Sequence, residues 1–278
     1  MNASPRHLMA LALVLLVAAC ATPQPHTRYD VSGDIATNAT GPQREVRALK
    51  LLRLAQAAML DGKARESIDL YKQALTIYKD LGDFSAQAAI HNDLGLILNA
   101  AGQYDRALDM LQAAVELGAR GTEKVVVIEA LYNVAVVLYD KHDDAAAEPA
   151  YTRALDAARA EHNREMEGLA LNGRGNTRRR ANNLAPAIDD YKGALTVWNE
   201  LRRPIPAAVA LQNIGYSHLL RGESSEAINA FQQAINAFGD TQSADREVLV
   251  PHLEELMRMA KKSPDEAREK VLKVLGRE

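Results

Sequence analysis

Residues 101–115 read Ala-Gly-Gln-Tyr-Asp-Arg-Ala-Leu-Asp-Met-Leu-Gln-Ala-Ala-Val, and the spacing Gly102, Tyr104, Ala107, Leu111, Ala114 recurs along the chain. The last alanine of the pattern falls at Ala74, Ala114, Ala154, Ala194 and Ala234, a constant interval of 40 residues. Seven residues earlier stand Ser67, Ala107, Ala147, Ala187 and Ala227. Three earlier stand Tyr71, Leu111, Tyr151, Tyr191 and Phe231, and one later Leu75, Val115, Leu155, Leu195 and Ile235. A fixed period of this size predicts a stacked array in which each unit buries its apolar face only against its neighbours.

Composition agrees. Of the 278 residues 47% are hydrophobic but only 5% aromatic, so alanine and leucine carry the core, as close helix-on-helix packing requires. A net charge of −3 argues against a nucleic-acid partner. The single cysteine excludes an internal disulfide and a cysteine-rich metal site.

Residues 1–19 stand outside the repeat. Arg6 and His7 precede an apolar run from Leu8 to Val17, too short to span a membrane and suited to a signal-peptide core. The run ends in Leu16-Val17-Ala18-Ala19-Cys20, which resembles the bacterial lipoprotein box. That resemblance implies lipidation of Cys20 by a diacylglycerol and an N-acyl chain (palmitate in kind). Stable anchoring takes more than one acyl chain, which this arrangement supplies. Ala21, rather than Asp, implies the bacterial cell envelope and the periplasmic face of the outer membrane. The alternative is an ordinary signal peptide with a chance cysteine. Residues 20–43 comprise Cys20 and a Thr-, Pro-, Gly- and Asn-rich stretch without apolar period, expected to be a flexible tether.

Inside each unit the pattern resembles the tetratricopeptide repeat, a helix-turn-helix motif with small residues where its helices cross. Counting from Ala48, the eighth position holds Ala55, Gly95, Ala135, Gly175 and Gly215. The turn position holds Gly62, Gly102, His142, Asn182 and Gly222, residues suited to a left-handed helix end. The period exceeds the family's usual 34 residues, so the second helix should run over a turn longer, ending near Gly82 in the first unit. This is similar to the long repeats of kinesin light chains and of some bacterial peptide-sensing regulators. The resemblance implies an all-α, right-handed superhelical α-solenoid of about five units, near 48–87, 88–127, 128–167, 168–207 and 208–240, within residues 44–240. Residues 241–278 leave the register and are expected to form C-terminal capping helices, with Ser263 as N-cap and Pro264 at N1.

Arg174 stands where other units carry an aliphatic residue, with Arg178, Arg179 and Arg180 after it. It must either extend to water or meet a carboxylate such as Asp189 or Asp190. The alternative is a basic spot for an acidic partner.

The resemblance implies that binding occurs on a concave groove lined by the first helix of each unit. The candidate groove residues are Asn92, Leu96, Asn99, Tyr132, Asn133, Tyr139, Asn172, Asn176, Arg179, Gln212, Asn213 and Tyr216. Asn and Gln amides both donate and accept, so they can pair with the backbone of an extended peptide of any sequence. The competing reading is that these amides bond neighbouring helices to each other.

Catalysis finds no support in the residue pattern. The histidines are scattered, without metal-ligand spacing, and Gly173-Arg174-Gly175 lies inside a repeat helix rather than a phosphate loop. Asp143-Asp144 and Asp189-Asp190 are expected at helix starts. No catalytic residue, metal or cofactor is therefore expected. The expected function is a non-enzymatic, membrane-tethered scaffold that binds an extended peptide or helix of an envelope protein. The alternatives are a self-assembling lipoprotein, with Leu49, Leu52 and Met59 as a homodimer face, and a cell-wall-active enzyme.

Overall fold

The computed structural model describes residues 40–239 and 244–276. The signal segment, Cys20 and nearly all of the tether lie outside the described residues. Those described form twelve α-helices and no strand. They are α1 (Gly41–Leu60), α2 (Ala64–Leu81), α3 (Phe84–Ala100), α4 (Tyr104–Arg120), α5 (Lys124–Asp140), α6 (Asp144–Ala160), α7 (Arg164–Arg180), α8 (Leu184–Glu200), α9 (Pro204–Leu220), α10 (Ser224–Phe238), α11 (Ala244–Lys262) and α12 (Pro264–Val274). α1 begins at Gly41, so three residues assigned to the tether are helical.

Short signals repeat at each boundary. Asp83, Asp143 and Asn163 accept hydrogen bonds from the backbone N–H groups of Ala86, Ala146 and Met166, satisfying donors that a helix start leaves open. The turn inside each of the first five hairpins is left-handed, with φ of 74° at Gly62, 71° at Gly102, 63° at His142, 64° at Asn182 and 78° at Gly222. α2 ends at Leu81 with Gly82 left-handed, as the long-repeat reading expects. His162 and Arg202 are also left-handed, at joints between hairpins where no glycine marks the turn.

Two compact units divide the described residues after Met166, within α7. In each, the repeating positions make the core. Ala74, Ala114, Ala154, Ala194 and Ala234 are at most 1% exposed. Ser67 fits the alanine column because its hydroxyl donates to the Ala55 carbonyl at 2.8 Å. The eighth-position glycines are held by space. A Cβ on Gly95 would stand 2.7 Å from Leu111, on Gly175 2.6 Å from Tyr191, and on Gly215 2.3 Å from Phe231.

The expectation that residues 241–278 leave the register needs correction. α11 and α12 begin at 244 and 264, 40 residues after α9 and α10, and make a sixth hairpin. Ala267 and Val271 continue the columns of Ala227 and Phe231 and are both fully buried. Ser263 stands before Pro264 as expected, but its side chain makes no cap bond. What differs is the setting of α11. Glu255 occupies the small eighth position, and a carboxylate does not fit a close helix crossing. Its side chain is instead 41% exposed and paired with Lys270 at 2.5 Å. α11 buries Leu249, Leu253, Leu256 and Ala260, positions equivalent to Ala89, Asp93, Leu96 and Ala100 of α3, none of which is buried. With the hairpin so turned, α12 packs on α9 more extensively than α11 does.

Candidate functional site: a two-rung face on α3 and α5

α3 and α5 are first helices of neighbouring hairpins and pack side by side. Two hydrogen bonds join their inner faces. The Asn133 amide donates to the Asn92 carbonyl oxygen at 2.8 Å, and the Asn99 amide donates to Asp140 at 2.7 Å. The rungs are seven residues apart on each helix, about 10 Å at a rise of ~1.5 Å per residue. Between them lie Leu96, 37% exposed, and half-buried Val136, with half-buried Tyr139 beside the second rung. The result is an apolar floor between two polar pairs.

Each rung keeps hydrogen-bonding capacity. The Asn92–Asn133 bond uses one donor hydrogen and one acceptor, leaving both residues further amide valences. The Asn99 carbonyl oxygen is buried and has no hydrogen-bond partner, an uncommon state for a buried acceptor. Next to Asn92, half-buried Asp93 accepts from the Tyr71 hydroxyl at 2.8 Å. Burial pushes the Asp93 carboxyl up to about 6, although the Tyr71 hydrogen bond pulls it down. Burial, then the Asp93 charge, raise Tyr71, so its hydroxyl stays a donor.

In the other compact unit more of the corresponding residues are buried, although Asn172, 8% exposed, is no more so than Asn92, at 6%. Asn213 donates to Asn172 at 3.1 Å, repeating the first rung. Asn172, Gln212, Asn213 and Arg179 are all buried, and Tyr216 is 1% exposed. Tyr216 stacks edge-on against Phe231, accepts from Gln212 at 2.6 Å and lies 2.9 Å from His252 Nε2. Which of the Tyr216 hydroxyl and His252 Nε2 donates in their hydrogen bond depends on the imidazole tautomer. Burial, then Lys270, lower the His252 pKa. Arg179 donates to Asn176 at 3.2 Å, and Tyr191 donates to the same oxygen at 2.8 Å.

Of the residues expected to line one groove, Leu96, Asn99, Asn133 and Tyr139 keep accessible surface on the α3–α5 face, whereas Asn92, bonded to Asn133, is itself buried. Asn176 keeps some in the other unit. Tyr132, 4% exposed and edge-on to Tyr151, is packing rather than surface, and so are Asn172, Gln212, Asn213, Tyr216 and Arg179. Bonding between neighbouring helices, the competing reading of the amides, is what Asn92–Asn133 and Asn172–Asn213 do. Asp140 went unnoticed in the sequence, although it stands seven residues after Asn133.

The arginine cluster resolves at its first member. Arg174 meets the buried Asp190 through Nε at 3.1 Å and Nη2 at 2.7 Å, and Arg178 joins it at 2.9 Å. Asp189-Asp190 therefore lies within α8 rather than at a helix start. Among the described residues no group of three or more His, Cys, Asp or Glu side chains is placed to hold a metal, and no helix is long and apolar enough to cross a membrane.

Tandem helix hairpins, the first five with small residues at the crossing, define a helical-repeat scaffold. Tetratricopeptide-repeat family models match residues 45–120 and 209–241, so those two segments are similar to repeats of that family. Similar solved structures include the apo form of RapI, with 12% identity, a TM-score of 0.70, and coverage of 86% of this chain and 66% of RapI. Aspartyl phosphate phosphatase F from Bacillus subtilis shows 16% identity and a TM-score of 0.69, covering 99% and 75% of the two chains. A Rap protein complexed with competence and sporulation factor shows 15% identity and a TM-score of 0.62, covering 86% and 65%. The chain thus spans slightly under two thirds of the length of two of these, and the likeness is one of fold. No curated protein matches the sequence.

Proposed function

We propose that this protein is a non-catalytic scaffold, tethered to a bacterial membrane through lipidated Cys20, that holds an extended segment of a partner protein on the α3–α5 face. The carrying observation is the uncovered floor of Leu96 and Val136 between the Asn92–Asn133 and Asn99–Asp140 pairs. An extended chain advances ~3.3 Å per residue, so the rungs meet backbone groups about three residues apart. The amides serve the backbone, and the floor takes one apolar side chain. The buried acceptor on Asn99 gains a donor when the segment binds. A tetratricopeptide-type fold and a Rap protein solved with a bound factor support the protein-binding class. The tether and a role in envelope assembly rest on Leu16–Cys20, and the outer-membrane address on Ala21.

Leu96 is the position to test, because its exposure lets a charge enter without disturbing the core. Leu96→Glu should abolish co-purification of the partner that the native protein captures from envelope extracts, with the melting temperature unchanged. Capture of the same partner in equal yield would refute the site.

A further inference from the structure

α1 stands at the leading edge of the compact unit that ends at Met166. In the hairpin behind it the corresponding side is covered. Gln87 donates to the Tyr78 carbonyl at 3.2 Å, and Ile90, Leu94 and Ile97 of α3 share one apolar cluster with Tyr71, Ala74 and Leu75 of α2. The α1 residues 40 positions earlier are Arg47, Lys50, Leu54 and Ala57, and all four are exposed. Leu60, one turn on, is 85% exposed. Spaced three and four apart, the five lie along one side of the helix. From Val46 to Leu60 the sequence carries three cations, Arg47, Lys50 and Arg53, and no acid; of the rest only Gln56 is polar. α1 is thus apolar on its buried side and both basic and apolar on its open side.

We propose that the open side of α1 is a membrane-contact surface that lies on a bilayer of anionic phospholipid. Charge and exposure together select lipid over a second copy of this chain. Stacking another hairpin here would bury Arg47 and Lys50 where α3 buries Gln87 and Ile90, and a charge taken out of water without a partner is costly. At a bilayer the long basic side chains reach the headgroup phosphates while Leu54 and Leu60 enter the acyl boundary. Three cations without an intervening acid complement an anionic leaflet. α1 is not apolar enough to cross a membrane, so it lies in the plane of the interface. The contact gains from the Cys20 anchor, and in that respect rests on the proposed function. Residues 21–40 join Cys20 to α1, a reach of at most ~70 Å, so a lipid-held chain presents α1 to the bilayer at high local concentration and a weak contact suffices. α1, α3 and α5 belong to one compact unit, so contact here fixes how the α3–α5 face stands above the membrane, which a tether alone does not.

The test uses the full chain with Cys20→Ser and Ala57→Cys, which leaves one thiol, on the open side of α1, for the fluorophore NBD. With vesicles of phosphatidylcholine containing about 30% phosphatidylglycerol its emission should shift to the blue, as in an apolar medium, and with phosphatidylcholine alone it should not. The same label at Gln112→Cys, exposed on α4, should stay unshifted with both. Arg47→Glu with Lys50→Glu should raise the anionic lipid concentration needed for the response at least about tenfold, with Tm unchanged because both side chains are exposed. If that pair fails to fold, Leu60→Gln, at the most exposed leucine, should weaken the response in the same assay. An equal shift with both vesicle types, an undiminished response in these variants, or a shift that grows with protein concentration in the absence of vesicles, the mark of a second copy, would overturn the proposal. So would a chain that sediments with the vesicles while the label at position 57 stays in water, since residues 1–39 would then make the contact. None of these outcomes touches the Cys20 anchor, because the chain tested carries no lipid.

Discussion

Asp190→Asn removes the carboxylate that stands between the guanidinium groups of Arg174 and Arg178. Three charge-assisted hydrogen bonds end on it, at 2.7, 2.9 and 3.1 Å. Such bonds contribute about 1.5–3 kcal/mol each. An asparagine keeps one acceptor oxygen but turns an NH2 donor toward a guanidinium. The arginine side chains are 15% and 21% exposed, so water replaces only part of what is lost. Removing one partner from a buried ion pair costs about 3–5 kcal/mol, and this partial exposure places the cost near ~3 kcal/mol. For a chain of this size that lowers Tm by about 6–12 °C. The second unit of the repeat shows how to rebuild the position, since it carries Leu94, Leu98 and Met110 where Arg174, Arg178 and Asp190 stand. Arg174→Leu, Arg178→Leu and Asp190→Met together should recover the native Tm or exceed it, because well-packed apolar residues often match or better a buried ion pair. Calorimetry of the single and triple variants decides. A loss under about 2 °C for Asp190→Asn, or a triple variant as weak as the single one, would refute the reasoning.

Further expectations follow from other positions. Gly215→Ala places a Cβ 2.3 Å from the Phe231 ring and should cost about 1–3 kcal/mol in urea titration, while Gly193→Ala, 3.3 Å from a leucine methyl, should be neutral or stabilising by up to ~1 kcal/mol. Asp93 is an acid with a folded-state pKa raised to about 6. The native state therefore holds its proton more tightly than the unfolded chain, so stability should fall as pH rises from about 4 to 6 and level off above. Asp93→Asn should flatten that window, and an unchanged slope would remove Asp93 as its source. Cys20→Ser should shift the protein from the membrane to the soluble fraction, and continued membrane retention would end the lipid-anchor reading.

The array was legible because helix crossings admit only small side chains, which imprints Ala and Gly at a fixed interval. The sixth hairpin was not, because Glu255 and Val274 interrupt the two most diagnostic columns while the helix starts keep their spacing. The rungs were half legible. Asn92 and Asn133 stand out as polar residues on first helices, but their bond joins the fifth position of one unit to the sixth of the next. That offset of 41 hides the pair when columns are compared at 40. The burial of Tyr216, and of Gln212 bonded to it, goes with the setting of the last hairpin, which the sequence expresses only through one misplaced carboxylate. Arg174 announced a partner, and the choice between Asp189 and Asp190 required the packing of α8.

The most direct test of the α3–α5 face places a photo-crosslinking residue, p-benzoylphenylalanine, at Leu96 in the full-length protein in living cells. The crosslinked peptide is then identified by mass spectrometry. The face described here predicts adducts to one defined segment of a partner protein, with an apolar residue at the point of attachment, and loss of those adducts when Asn92 and Asn133 are both alanine. No adduct at position 96, or adducts that persist undiminished without the two asparagines, would contradict it.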